Sequence, residues 1–287
     1  MTTVALIGAT IVISVVNGKG GSGKTPVAVQ LAYALAHMGY KVLFGDLDQQ
    51  ASASFHFLGL KYKRLQPTIY NALRDLKYIE PHSISPNLHL LSAHDELSVL
   101  EIDLPKMKRP DGRPIFWQGR LADLLNLYPG YDFMICDTPG SAISIFPTMS
   151  LTSADLAMVP TKTEVVAVVG TGDTLNLIED IAHPTDGQRA LNPALQLWGI
   201  LPNQYEMHVG SHNEAIRLLG KLYGERGVYI YPNPSRKTTF YNEASQGHID
   251  IRETSPKIGQ ALGAYWDAIA QDIVSRSITI VKERKGK

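Results

Sequence analysis

A single cysteine, Cys136, stands in a chain of 287 residues. That excludes a disulfide framework and any iron–sulfur or cysteine-clustered metal site. Cys136 lies in an apolar run and reads as a small core residue. Net charge is missing too: 27 basic side chains balance 27 acidic ones. The average therefore supplies no bulk attraction to nucleic acid or to an anionic surface, and only local patches can. No stretch reaches the roughly 18 apolar residues of a membrane span. The first sixteen residues are uncharged, lack a basic n-region and a cleavage pattern, and lead straight into a glycine-rich loop. They read as a strand and not as a signal peptide, and the chain as cytoplasmic. Its length allows one large α/β domain or two small ones.

What is present is a loop, Gly18-Lys19-Gly20-Gly21-Ser22-Gly23-Lys24-Thr25. It fits the phosphate-binding pattern G-x-x-x-x-G-K-[ST]. The β-branched run 11–16 before it reads as a buried strand, and 27–38 after it as a helix ended by Gly39. Strand, glycine-rich turn and helix aim backbone N–H groups and a helix N-terminus at phosphates. Lys24 would reach the β- and γ-phosphates of ATP, and the Thr25 hydroxyl would ligate Mg²⁺.

Further along, 41–45 reads as a second buried strand ending in Asp46-Leu47-Asp48-Gln49-Gln50. Strand–helix–strand at this spacing is a βαβ unit, which makes a parallel sheet with ligands at the carboxyl ends of its strands. The two carboxylates would serve the nucleotide site or merely cap the strand end. Thr68–Leu73 reads as a helix with Thr68 near its start, and 88–92 as a short strand. Pro105, Pro110 and Pro114 punctuate a charged loop with Lys106, Lys108, Arg109 and Arg113, read as a solvated surface excursion, with DNA or partner contact as the alternative. Tyr131–Asp137 is an apolar strand tipped by a carboxylate that can hold Mg²⁺ opposite Thr25, followed by Thr138-Pro139-Gly140.

Strands are also expected over 154–160, 195–203 and 227–232, with a helix over about 172–181. Residues 258–274 form an amphipathic helix whose aromatics belong to a core. The tail from 273 holds Arg276, Lys282, Arg284, Lys285 and Lys287 against Glu283. It would be attracted to phosphate backbones or anionic lipid, or simply fray in solvent. Ser277–Val281 alternates like a strand.

Lys19, directly after the first glycine, sharpens the reading. The loop resembles the deviant Walker A motif, KGGxGK[ST], of the ParA/MinD family of ATPases. Asp46–Gln50 resembles that family's DxDPQ element, with Gln49 where proline is usual, and Asp137-Thr138-Pro139 its D-[TA]-P element. The resemblance runs from about residue 11 to 275. It implies one α/β P-loop NTPase domain over 1–287, a mostly parallel twisted sheet with helices on both faces, and a basic tail from about 273. It implies that Lys19 crosses a dimer interface to a partner's nucleotide, that Asp48 positions the attacking water, and that Asp46 supports the metal with Thr25 and Asp137. It also implies adenine contacts from Asn203 and Pro232, although an asparagine after Pro202 also suits a turn. The segment 240–247 would pack over the nucleotide. Arg236 and Lys237, with Lys282, Arg284 and Lys285 of the tail, would meet DNA.

ParA-like relatives form an ATP-dependent homodimer, bind DNA non-specifically on the nucleoid, and hydrolyse ATP when a ParB-like or cargo-adaptor protein stimulates them. Little sequence precedes the loop, which indicates a short-form member. A MinD-like membrane-cycling protein, or an adaptor with vestigial hydrolysis, is the alternative. Pro26 departs from the pattern. The N–H at that position ordinarily donates to the α-phosphate, and proline has none.

Overall fold

The structure, a computed structural model, describes residues 10–141, 143–185 and 187–285. The signal-peptide question at residues 1–9 and the charge of Lys287 fall outside the described residues. The strands are β1 (Ile11–Val15), β2 (Val42–Asp46), β3 (His82–Ser85), β4 (Leu88–Leu91), β5 (Phe133–Asp137), β6 (Leu156–Lys162) and β7 (Gln196–Asn203). They form one sheet in the order β3-β4-β2-β5-β1-β6-β7. Every pairing is parallel except β3 with β4. The expected mostly parallel α/β sheet, with helices on both faces, is what the chain forms.

The central strands are buried along their whole length. That is why they read as continuous apolar runs and not as alternating ones. On one face lie α1 (Lys24–His37) and α10 (Ile258–Lys285), with Leu31, Leu35, Trp266, Ile269 and Ile273 in the core. The other face is covered by α3 (Ile69–Asp75), α4 (Leu97–Asp103), α5 (Arg120–Leu125), α6 (Ile145–Ser153), α7 (Val165–Ala182) and α8 (Gly210–Leu222). Two short helices, α2 (Ser52–Leu58) and α9 (Phe240–Gly247), sit beside the carboxyl end of β2 and the start of α1. Cys136 is fully buried, and burial pushes its thiol up to about 12. Thr68 caps α3 in a capping box with Asn71, as its position suggested.

Three expectations are corrected, and one strand was not foreseen. The segment 227–232 is not a strand: it makes a single bridge, Ile200 with Ile230. Gly227, at φ 84°, and the prolines at 232 and 234 leave no run of free N–H groups to extend the pairing. The helix α7 begins at Val165, well before Gly172. Its valines and glycines are poor helix formers, but Val168 is buried and Tyr223 donates its hydroxyl to the Val168 carbonyl at 2.9 Å. The helix from 258 runs on to Lys285, so Ser277–Val281 is helical and not a strand or a frayed tail. Burial of Ile280 and Val281, with the Ser277 hydroxyl donating to the Ile273 carbonyl at 2.8 Å, overrides their β-branched preference. β3, half-buried and irregularly paired, was not expected at all, since four such residues carry no clear period.

The end of α10 also fixes where the basic segment lies. Arg284 pairs with Asp155, which accepts the backbone N–H of Val12 at 2.8 Å. Val12 and Asp155 stand at the amino ends of β1 and β6, the end of the sheet opposite the glycine-rich loop. Among the described residues no helix is long and apolar enough to cross a membrane.

Candidate nucleotide site

Between β1 and α1 the loop turns on Gly21 and Gly23, at φ 74° and 84°, conformations that glycine alone adopts without strain. Several groups outside the motif pin it. Asn17 donates Nδ2 to the Pro160 carbonyl at 2.9 Å and accepts the Lys19 N–H at 2.9 Å. Gly18 donates its N–H to the Thr174 hydroxyl at 3.0 Å. Gln204 donates Nε2 to the Gly21 carbonyl at 2.8 Å. A Cβ on Gly140 would stand 2.9 Å from Lys24 Nζ and 3.0 Å from the Gly20 Cα, so only glycine lets that turn approach the loop. Of these residues only Gly140 stood in a motif. The pinning by Asn17, Thr174 and Gln204 has no signal in sequence.

Lys24 is 7% exposed and folds back under the loop, donating Nζ to the Asn17 carbonyl at 3.0 Å. Burial lowers its pKa, against the pull of Asp137 and Asp48. Asp137, at the tip of β5, is fully buried, and among the described residues neither carboxylate oxygen has a well-formed hydrogen bond, the Thr25 hydroxyl being at best a weak donor to it. Burial, then Asp46, raises its pKa well above the usual carboxylate range, with Thr25 and Lys24 close enough to offset part of that. An orphaned buried carboxylate beside a threonine and a lysine is poorly satisfied by protein alone. It suits a cation, and the residues present fit Mg²⁺ held between Thr25 and Asp137.

Asp46 differs from the expectation. Its Oδ2 accepts the Ser54 N–H at 2.8 Å and the Ser54 hydroxyl at 2.7 Å, while Oδ1 faces the Asp48 N–H at 3.2 Å. Burial pushes it up to about 7 in spite of those bonds. Its oxygens are engaged in holding the start of α2, so it supports the loop that carries Asp48 and is not a free metal ligand. Asp48 is partly exposed, accepts the Gln50 N–H at 2.9 Å, and lines the cavity over the glycine-rich loop.

That cavity, about 560 Å³, is bounded by the loop, Thr25, Pro26, Asp48, Gln49 and Pro139–Ser141. A second, about 460 Å³, opens beside it between Gly23, Pro26, Asn203 and the segment 235–239. Tyr241 and Asn242 of α9 border both. Asn203 reaches the second cavity, but its Nδ2 also donates to the Ser22 carbonyl at 2.9 Å and its Oδ1 accepts the Gln204 N–H. Pro232 lines neither cavity; Ser235 takes that place. Arg236 and Lys237 line the second cavity, and Lys237 pairs with Glu206 at 2.9 Å. Both are exposed at the rim of that cavity, and of the two only Lys237 is paired among the described residues. Lys282 is exposed on α10 and Lys285 closes that helix.

His56 was not anticipated either. It is 5% exposed on α2, reaches the first cavity, and sets Nε2 3.1 Å from the Ile249 carbonyl. Burial lowers its pKa to about 4. The unfolded chain takes up this proton near pH 6.5, so acidification between there and pH 4 favours unfolding. From pH 6.5 to 5 the loss expected from this group is about 2 kcal/mol. Urea titrations at several pH values should show that slope in the parent chain and a flatter one in His56→Gln.

A phosphate loop between β1 and α1, a carboxylate at the tip of β5 and a parallel sheet define a P-loop NTPase. The AAA domain family profile matches residues 10–196. A Rhizobium rhizogenes protein of the replication protein A type is 30% identical over 244 residues, 81% of this chain and 59% of its own length. The chain thus spans well under two thirds of that relative. The chromosome partitioning protein ParA of Caulobacter vibrioides is 29% identical over 221 residues, 75% of this chain and 77% of that one. Cobyrinic acid a,c-diamide synthase from Mycobacterium smegmatis, with bound ADP and magnesium, superposes with a TM-score of 0.68 at 25% identity, covering 84% of this chain and 91% of that one. This chain belongs to the AAA domain family, in its ParA/MinD group of P-loop ATPases.

Proposed function

We propose that this chain is a ParA-like ATPase that positions DNA or another cargo. It binds ATP with Mg²⁺, closes on a second copy of itself across the nucleotides, and takes up DNA without sequence preference in that state. An activating partner, ParB-like or a cargo adaptor, then stimulates hydrolysis. The observation that carries this reading is the contrast between two lysines of one loop. Lys24 is sunk beneath its own backbone. Lys19 is exposed, its ammonium has no partner among the described residues, and its stem lies along Gly170 of α7, where a Cβ would collide with it. One lysine serves the nucleotide of its own chain, and the other is available to a neighbour's.

The chemistry follows from charge and position. Lys24, with Lys19 of a second copy, offsets negative charge on the transferring phosphoryl group. Asp48 leaves Oδ2 without a hydrogen-bond partner among the described residues and would orient the attacking water from there. Thr25 and Asp137 would hold Mg²⁺, which supplies further charge neutralisation. A membrane-cycling role is less well supported. Ile280 and Val281 are buried in the body of the protein, so the end of α10 does not offer a free apolar face to a bilayer.

Light scattering with ADP, ATP and a non-hydrolysable analogue tests the reading. The parent chain should dimerise with ATP alone. Lys19→Ala should remain monomeric while still binding nucleotide. Dimerisation of Lys19→Ala equal to that of the parent would overturn it.

A further inference from the structure

We propose that the short 3₁₀ turn Gly59–Arg64, following α2, is the surface on which this chain takes up DNA, through Lys61, Lys63 and Arg64. The proposal rests on the reading above, that the ATP-bound protein binds DNA, and assigns that activity to a different face from Arg236, Lys237 and the end of α10.

Charge distribution is the first reason. The chain as a whole is neutral, yet between Asp48 and Asp75 it has no acidic residue at all. Within that stretch Arg74 is engaged by Asp75 at 2.8 Å. Lys61, Lys63 and Arg64 are all exposed, and none makes a side-chain hydrogen bond or ion pair among the described residues. Of the five cations first considered for DNA, two are ion-paired, Lys237 with Glu206 and Arg284 with Asp155. A third, Arg236, borders the second cavity, while Lys282 is exposed and unpaired among the described residues. Unpaired cations lose nothing internal on meeting a phosphate, and each releases counterions from DNA.

The turn is also firmly mounted. Leu58 packs against one core cluster and Tyr62 against the other. Gly59, at φ 57°, lies against the His248 ring, where a Cβ would come within 2.8 Å of Nε2. A fixed backbone presents the three charges in a set arrangement, and less side-chain and loop ordering remains to oppose binding.

Its position links it to the nucleotide. The Asp48 carbonyl accepts the Ala51 N–H at 2.8 Å, α2 begins at the next residue, and Ser54 is held by Asp46. The turn follows α2 directly, the chain changing direction at Gly59, where φ is 57°. Any shift of the Asp48 loop on meeting a γ-phosphate would reach the cations through α2 and its contact at Gly59. Leu60, 68% exposed, is the only large apolar side chain among the described residues offered with them. That is far less than the apolar face an interfacial helix needs, so the surface fits a nucleic-acid backbone better than a bilayer.

The test is the salt dependence of binding to a long duplex DNA, in the presence of a non-hydrolysable ATP analogue. In Lys61→Gln/Lys63→Gln/Arg64→Gln the slope of log K against log salt should fall by about 2.7 per protomer, three contacts at about 0.9 each. ATP affinity, dimerisation and melting temperature should be unchanged, because the three side chains are exposed and unpaired. Lys282→Gln, at the opposite end of the sheet, should leave the slope unchanged. A triple variant with the parent's slope would overturn this surface while leaving ATP-dependent DNA binding intact. Absence of DNA binding by the ATP-state parent would overturn both readings. So would binding to phosphatidylserine vesicles in place of DNA.

Discussion

Asp137→Asn should melt at a higher temperature than the parent chain and yet lose its magnesium-supported ATP turnover. The two effects have one cause. Asp137 is fully buried at the end of β5, and among the described residues neither of its oxygens has a well-formed hydrogen bond. Burial disfavours its ionised form, and Asp46 nearby disfavours it further. An amide of the same shape removes that charge. Relief of a buried, unsatisfied charged group should be worth about 1–3 kcal/mol, or several degrees in Tm for a protein of this size. The same substitution deletes a carboxylate fitted to hold Mg²⁺ with Thr25. Losing several kcal/mol of charge stabilisation costs roughly a hundredfold or more in rate, at 1.36 kcal/mol per decade. Calorimetry and a phosphate-release assay on the same preparation check both halves. A variant that melts lower, or that turns over ATP normally, would remove Asp137 from the site.

Pro26→Thr should tighten ATP binding by about one to two decades. Pro26 occupies the first turn of α1 and borders both cavities. The helix tolerates it, because N–H groups of the first turn have no intrahelical acceptor. What it lacks is a donor where a phosphate oxygen would sit. One charge-assisted hydrogen bond is worth roughly 1.5–3 kcal/mol, which is one to two decades in affinity. Titration of the two proteins with ATP and with adenosine separates causes: the gain should appear for ATP and not for the nucleoside. Equal ATP affinities would mean that the loop compensates for proline elsewhere. If hydrolysis proves vestigial, restoring this donor is also the first substitution expected to recover it.

Much of the fold was legible because its signals are local. Glycines that must take positive φ, a β-branched run ahead of them and a helix behind them state the β1–loop–α1 unit within a few dozen residues. The apolar strands ending in Asp46 and Asp137 were equally plain, since strands covered on both faces need no alternation to be recognised. Where local preference and tertiary burial disagree, sequence reading failed. The first half of α7 and the end of α10 are rich in valine, isoleucine, threonine and glycine. Both are helical because Val168, Ile280 and Val281 find a core to enter. The segment at 230 showed the reverse case, an apolar run whose flanking proline and glycine allow only a single bridge.

For the candidate site the division is similar. The sequence by itself determined the identity of the phosphate loop, the presence of Lys19 and Lys24, and the carboxylates at two strand tips, because each depends on residues adjacent in the chain. Only the tertiary structure decided what those groups touch. Ser54 occupies Asp46, Asn17 and Thr174 hold the loop, Glu206 and Asp155 neutralise cations that looked free, and Lys61, Lys63 and Arg64 remain unpaired. Side-chain chemistry is written residue by residue, whereas partnership can join positions far apart in the chain, as Gly18 with Thr174 or Arg284 with Asp155, through a sheet whose strand order differs from chain order. Whether a charge is available or already neutralised is therefore a property of the folded chain alone.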